Sequence, residues 1–136
     1  MPNQRLRTIA IAALLAGGAL FVVWQFVTPS DGQTAQSVIV PNLSPSAESG
    51  RVAFDNNCAQ CHGENGSGTD SGPPLVHIIY EPNHHGDASF FSAAERGVRQ
   101  HHWPYGDMPP QPQMSREEMG DIIQYIRELQ RANGIT

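Results

Sequence analysis

Apolar residues along this chain fall into two unlike patterns. Residues 9–27 hold 16 apolar side chains in 19 positions, and residues 8–30 carry no charge. As a helix the run would be about 28 Å long, close to the roughly 30 Å hydrocarbon core of a bilayer. The pattern predicts a single transmembrane helix over residues 8–28. Trp24 suits an interfacial anchor, and Arg5 and Arg7 place the short segment 1–7 in the cytoplasm and the rest outside. A cleaved signal peptide is the competing reading. Against it, the run exceeds a usual h-region of about 7–15 residues, and Thr28-Pro29-Ser30 is a poor cleavage site.

The second pattern is interrupted and helical. Met119, Ile122, Ile123, Ile126 and Leu129 recur three and four apart, as one face of a helix requires. Ser115-Arg116-Glu117-Glu118 forms a capping box at its start, with Met114 and Met119 at the two positions of a hydrophobic staple. Gly134 marks its end. A first helix is predicted over residues 46–57, beginning near Ser44 or Ser46 with Pro45 in the first turn. Gly50 and Phe54 share one face of it. Asp87 is a candidate cap for a short helix over residues 88–97, carrying Phe90, Phe91 and Ala94 inward. Residues 64–72 are rich in Gly, Ser and Asp and read as a loop. No strand pair with hairpin signals is present. Residues 29–45 keep no periodicity and are broken by Pro29, Pro41 and Pro45, which predicts a flexible linker. The expected organisation is therefore an anchor, a linker and an all-α domain over residues 46–136.

Composition makes that domain puzzling. Its 91 residues include only 14 Leu, Ile, Val or Phe, about 15 %. That is below the roughly 20 % at which a charged chain reads as disordered. It carries 12 acidic residues against 6 Arg. Such a balance excludes a basic nucleic-acid-binding module working through phosphate neutralisation. The question left open is what fills the core.

The only two cysteines stand in Cys58-Ala59-Gln60-Cys61-His62. A disulfide closing so short a loop would remove little chain entropy. A thioredoxin-like pair lacks a surrounding βαβ pattern. A zinc site lacks a second cysteine pair. C-x-x-C-H suits covalent haem attachment, with two thiols on one helical turn and a histidine directly after them.

The flanking residues carry a resemblance. Gly50-Arg51-Val52-Ala53-Phe54, Cys61-His62-Gly63, Gly72-Pro73-Pro74-Leu75 and Met108-Pro109-Pro110, followed by the amphipathic helix, resemble bacterial class I cytochromes c. The resemblance implies an all-α, cytochrome c-like fold around one haem c held through Cys58 and Cys61. It implies His62 as proximal iron ligand, with its other ring nitrogen bonded to the Pro73 carbonyl. It implies Leu75 against the haem face and a small residue where the first and last helices cross. Ile122, Tyr125 and Ile126 are the expected partners at that crossing.

Three methionines follow the haem motif. Met114 and Met119 already have packing positions at the helix start. Met108 lies in Gly106-Asp107-Met108-Pro109-Pro110, which cannot be regular helix. The resemblance selects the same residue, so Met108 is the expected sixth ligand, and His62 and Met108 are the expected metal ligands. Two histidine pairs, His84-His85 and His101-His102, have three open readings: solvated loop residues, capture of a metal such as copper, or neighbours of the haem edge. Arg99 and Trp103 are candidate donors to a propionate.

The function expected is electron transfer between redox protein partners, without nucleic acid. The membrane is engaged through the N-terminal helix, and the haem domain lies on the periplasmic side. No catalytic acid–base pair stands out. A haem-based sensor, a copper-handling module and a peroxidase-like subunit are the alternatives.

Overall fold

The structure is a computed structural model that describes residues 37–136 together with Leu14 and Gly18. Apart from those two helical residues, the expected transmembrane segment lies outside the described residues. No helix among the described residues is long and apolar enough to cross a membrane. The chain divides into the units Met1–Gly32 and Gln33–Thr136, and the second holds the fold.

Four helices build it: α1 (Pro45–Asn57), α2 (Ala59–His62), α3 (Asp87–Arg96) and α4 (Arg116–Ala132). Single 3₁₀ turns cover Glu64–Gly66 and Ile78–Tyr80. Strands are absent among the described residues; two isolated antiparallel bridges join Thr69 to Gly72 and Val98 to Met108.

The helix starts follow from their caps. The Ser44 hydroxyl accepts the Ala47 N–H, and Pro45 sits in the first turn, where its missing donor costs nothing. At α4 the capping box is complete: Glu118 N–H donates to the Ser115 hydroxyl at 3.1 Å, and Ser115 N–H donates to the Glu118 carboxylate at 2.9 Å. At α3 the expected cap is corrected. Gly86 is the N-cap, and Asp87 is the first helical residue. Its carboxylate accepts from Arg127 Nε at 2.9 Å instead. An ion pair to a buried guanidinium outweighs a local cap bond here, because the guanidinium cannot go unpaired.

Helices α1 and α4 cross at Gly50. A Cβ on that residue would run into the Asp121 carbonyl and lie 2.8 Å from Ile122 N. Without a side chain the two backbones touch. Phe54 then meets Tyr125 edge to face, with ring centroids 5.6 Å apart, and both rings are fully buried. Ile122, Ile126 and Leu129 complete this seam.

The expected linker is corrected over its last residues. Asn133 accepts the Ile39 N–H at 3.0 Å and donates to the Ile39 carbonyl at 2.9 Å. The Glu128 carboxylate accepts both the Ser44 N–H and the Ser44 hydroxyl. Val38 and Leu43 pack against the core. Residues 38–44 are thus docked along α4, held at Ile39 by Asn133 at the helix's C-terminal cap and at Ser44 by Glu128 on the helix.

Arg127 ties the remaining segment down. It is buried on α4 and donates to the Tyr80 carbonyl at 2.7 Å, to Gln130 Oε1 at 2.6 Å and to the His85 carbonyl. Its guanidinium also lies over the Phe90 ring, 4.9 Å from the centroid. One side chain therefore fixes the turn between residues 80 and 87 against the helix.

Candidate functional site

Helix α2 is a single turn formed by the C-x-x-C-H residues. His62 N–H closes onto the Cys58 carbonyl at 2.9 Å. Gly63, at φ +76°, then turns the chain sharply away. Both cysteines are free thiols, Cys58 half-buried and Cys61 exposed. Burial, and then the neighbouring Cys61, push the Cys58 thiol up to about 11. It is protonated at neutral pH and behaves as an apolar wall group until it is modified.

His62 has one committed nitrogen. Nδ1 lies 2.9 Å from the Pro73 carbonyl. A carbonyl only accepts, so Nδ1 carries the proton and Nε2 keeps its lone pair. Burial lowers the pKa of this imidazole, and the bond to Pro73 partly offsets the shift. The ring is a neutral, oriented donor, as metal-binding imidazoles with a carbonyl partner are. Leu75 is buried two residues beyond Pro73, its N–H bonded to the Gly66 carbonyl at 2.8 Å.

Cys58, His62, Pro73 and Leu75 border one cavity of about 460 Å³, while Cys61 stands on the same turn outside its lining. That volume falls within the roughly 300–1,000 Å³ of sites for small molecules and cofactors. Phe54, Leu75, Phe90 and Ile122 make apolar walls, and Cys58, His62 and Pro73 border the same space. Met108, Met114 and Met119 all line it as well. The staple positions at the start of α4 therefore do not remove Met114 and Met119 from the cavity.

Backbone geometry separates the three. Met114 and Met119 flank the cap of α4, with Met119 buried. Met108 is clamped in a loop. It exchanges two 2.9 Å hydrogen bonds with Val98, N–H to carbonyl in both directions. Gly97, at φ +74°, makes the approach possible: a Cβ there would sit 2.5 Å from the Met108 carbonyl oxygen and 3.1 Å from the Pro110 ring. Above this clamp the loop bonds to itself, Gln100 N–H to Asp107 at 2.8 Å and Gly106 N–H to the Gln100 side chain at 2.9 Å. Gln111 N–H ties the far end to Ala94 at 2.7 Å. The clamp escaped sequence reasoning, although Gly97 and Gly106 bracket the polar loop and are its one visible signal. Arg127 was missed too; it lies four residues after Ile123, at the edge of the apolar stripe.

Trp103 borders the cavity, and its ring packs on His77 with centroids 5.1 Å apart. Its indole N–H is buried and faces the Tyr80 hydroxyl without good hydrogen-bond geometry. A buried donor without an acceptor costs about 1–3 kcal/mol, so this position calls for an acceptor from the cavity's occupant. Arg99 also borders the cavity and is exposed.

The cytochrome c family model matches residues 47–130, well over half of the chain. The chain belongs to the cytochrome c family. No curated protein and no solved structure matches it. A cytochrome c domain carries covalently bound haem c, and Cys58 and Cys61 stand at the attachment spacing. The residues fit that group: two thiols on one turn, a neutral imidazole with a free Nε2, apolar walls and an indole N–H in want of an acceptor. The cytochrome's scarcity of aliphatic residues has the same explanation, since a porphyrin supplies the missing apolar mass.

Proposed function

We propose that this cytochrome c domain is a mono-haem electron carrier, tethered to a membrane and passing electrons between redox protein partners. The observation that carries the reading is the convergence of His62 and Met108 on one apolar cavity, each held by backbone hydrogen bonds. In this reading Cys58 and Cys61 would hold the haem through thioethers, and His62 Nε2 and the Met108 sulfur would be the protein's ligands to its iron. The haem, when bound, supplies a one-electron iron couple. The protein's part would be to supply both of the iron's remaining ligands, from His62 and Met108, and so to leave no position open to water. His/Met ligation raises the potential relative to two histidines. Leu75 packs against the ring, and Pro73 holds the imidazole's tautomer. A nitrogen donor and a sulfur donor on the same cavity support a carrier, whose iron keeps no open position, over a peroxidase-like subunit or a gas sensor.

The tether is read from the uncharged apolar run 9–27 behind Arg5 and Arg7, which places the haem domain on the periplasmic side. The acidic balance of the domain favours partners with basic docking patches. Carbon monoxide tests the reading. The reduced holoprotein should show no change in its visible spectrum under CO, because both axial positions are filled. Rapid CO binding to the full population would overturn the carrier in favour of a sensor or enzyme.

A further inference from the structure

The two histidine pairs, separated in sequence by 15 residues, meet in space. The ring of His84 lies 5.4 Å from that of His102, and the ring of His85 lies 5.2 Å from that of His102. Ligand nitrogens of His84, His85 and His102 all fall within 4.8 Å of one another. His101 is adjacent, its ring 4.3 Å from that of His102 and stacked 6.2 Å from that of His85. None of the ion pairs among the described residues involves any of these four.

Two unrelated devices bring the pairs together. The 84–85 turn is held to α4 through its His85 carbonyl by the buried Arg127. The 101–102 segment rides the loop closed by the Val98–Met108 clamp. Ring orientation is also set. His85 Nδ1 lies 2.6 Å from the Ile79 carbonyl, so it carries the proton and leaves Nε2 as the donor. His101 Nδ1 is committed in the same way to the Arg99 carbonyl at 2.8 Å. These are the carbonyl partners that orient metal-binding imidazoles.

Clustered imidazoles without a counter-carboxylate repel one another once protonated. The cluster brings several ring nitrogens together from two segments. A metal ion with nitrogen ligands at about 2.0–2.1 Å needs ligand nitrogens about 3.4 Å apart in a tetrahedral set. Two of the three core rings, those of His84 and His102, are exposed, so no packing holds them at the wider spacing of up to 4.8 Å.

We infer that His84, His85 and His102, with His101 as a fourth candidate, form a binding site for a first-row divalent transition metal ion at the mouth of the haem cavity. An all-imidazole set suits Zn²⁺, Ni²⁺ and above all Cu²⁺, which stands highest in the Irving–Williams order. It does not suit Mg²⁺ or Ca²⁺, which take oxygen. The position follows from His85, His101 and His102, which border the haem cavity themselves. The site does not rest on the identity of the axial ligands.

Calorimetry on the full-length holoprotein tests the site, with CuCl₂, ZnCl₂ and MgCl₂ as titrants. One Cu²⁺ per chain should bind, more tightly than Zn²⁺, with no heat from Mg²⁺. The exposed-residue variants His84→Ala and His102→Ala should each weaken Cu²⁺ binding by about tenfold or more. The triple variant with His85→Ala should lose the 1:1 site. Should the triple variant fail to fold, Cu²⁺ electron paramagnetic resonance on the wild type decides instead: hyperfine coupling to three or four imidazole nitrogens is expected. Scattered weak binding, a 1:1 site of unchanged affinity in both single variants, or a spectrum showing ligation by the terminal amine overturns the proposal.

Discussion

Met108 is placed by its backbone, through the paired bonds to Val98, before its sulfur enters the argument. Removing only the sulfur should therefore leave the loop intact. Met108→Ala should abolish the sulfur-to-iron charge-transfer band at the far-red edge of the visible spectrum of the oxidised protein, and it should open one axial position to CO. A band that survives would assign the ligand to Met114 or Met119 instead. Tyr125 makes a different residue-scale case. Its hydroxyl donates to Asn65 at 2.8 Å, and burial, followed by the charge of Asp55, pushes its phenol up to about 12. The folded state thus holds the proton longer than the unfolded chain, whose phenol titrates near 10. The stabilisation is complete below pH 10 and is lost as pH rises from 10 towards 12. Tyr125→Phe should cost about 1 kcal/mol near neutrality from the lost hydrogen bond. Urea denaturation at stepped pH should show that gap narrowing between pH 10 and 12.

At the scale of elements, the crossing of α1 and α4 is decided at Gly50. Two effects of Gly50→Ala oppose one another. Alanine in a helix interior gains about 1 kcal/mol over glycine. A methyl forced against the Asp121 carbonyl has backbone, not a movable side chain, to displace, and such overpacking costs about 1–3 kcal/mol or more. The second effect should win, because the contact is with backbone, and the net loss in chemical denaturation of the holoprotein should approach about 2 kcal/mol. A neutral or stabilised variant would mean that the helices separate without cost. Much of this element level was legible in the sequence. Ser115 and Glu118 announce α4 by side-chain chemistry that acts within one turn, and the stripe from Met119 to Leu129 shows its buried face. Ser44 and Pro45 announce α1 in the same local way. Asp87 misled, because a cap residue and an ion-pair partner are the same residue type. Its distant partner Arg127 is 40 positions away.

Across the whole molecule, the haem is part of the fold. The buried aliphatic and aromatic residues concentrate between α1 and α4, while the cavity of about 460 Å³ opens beside them. Without an occupant, Leu75, Phe90 and Ile122 would line open space, and the Trp103 N–H would lack its acceptor. A Cys58→Ser/Cys61→Ser apoprotein should therefore show no cooperative thermal transition by circular dichroism. A sharp transition would show that the polypeptide core suffices. The sequence by itself determined the helices, the C-x-x-C-H turn and the family, because caps, periodicity and a five-residue motif act over a few residues. It also showed a domain too poor in aliphatic residues to fill its own core. Only the tertiary structure decided which side chains share a space. The Val98–Met108 clamp, the reach of Arg127 to Tyr80 and His85, and the meeting of the two histidine pairs join residues far apart along the chain. Such contacts depend on how helices cross and loops close, and no local spacing encodes them.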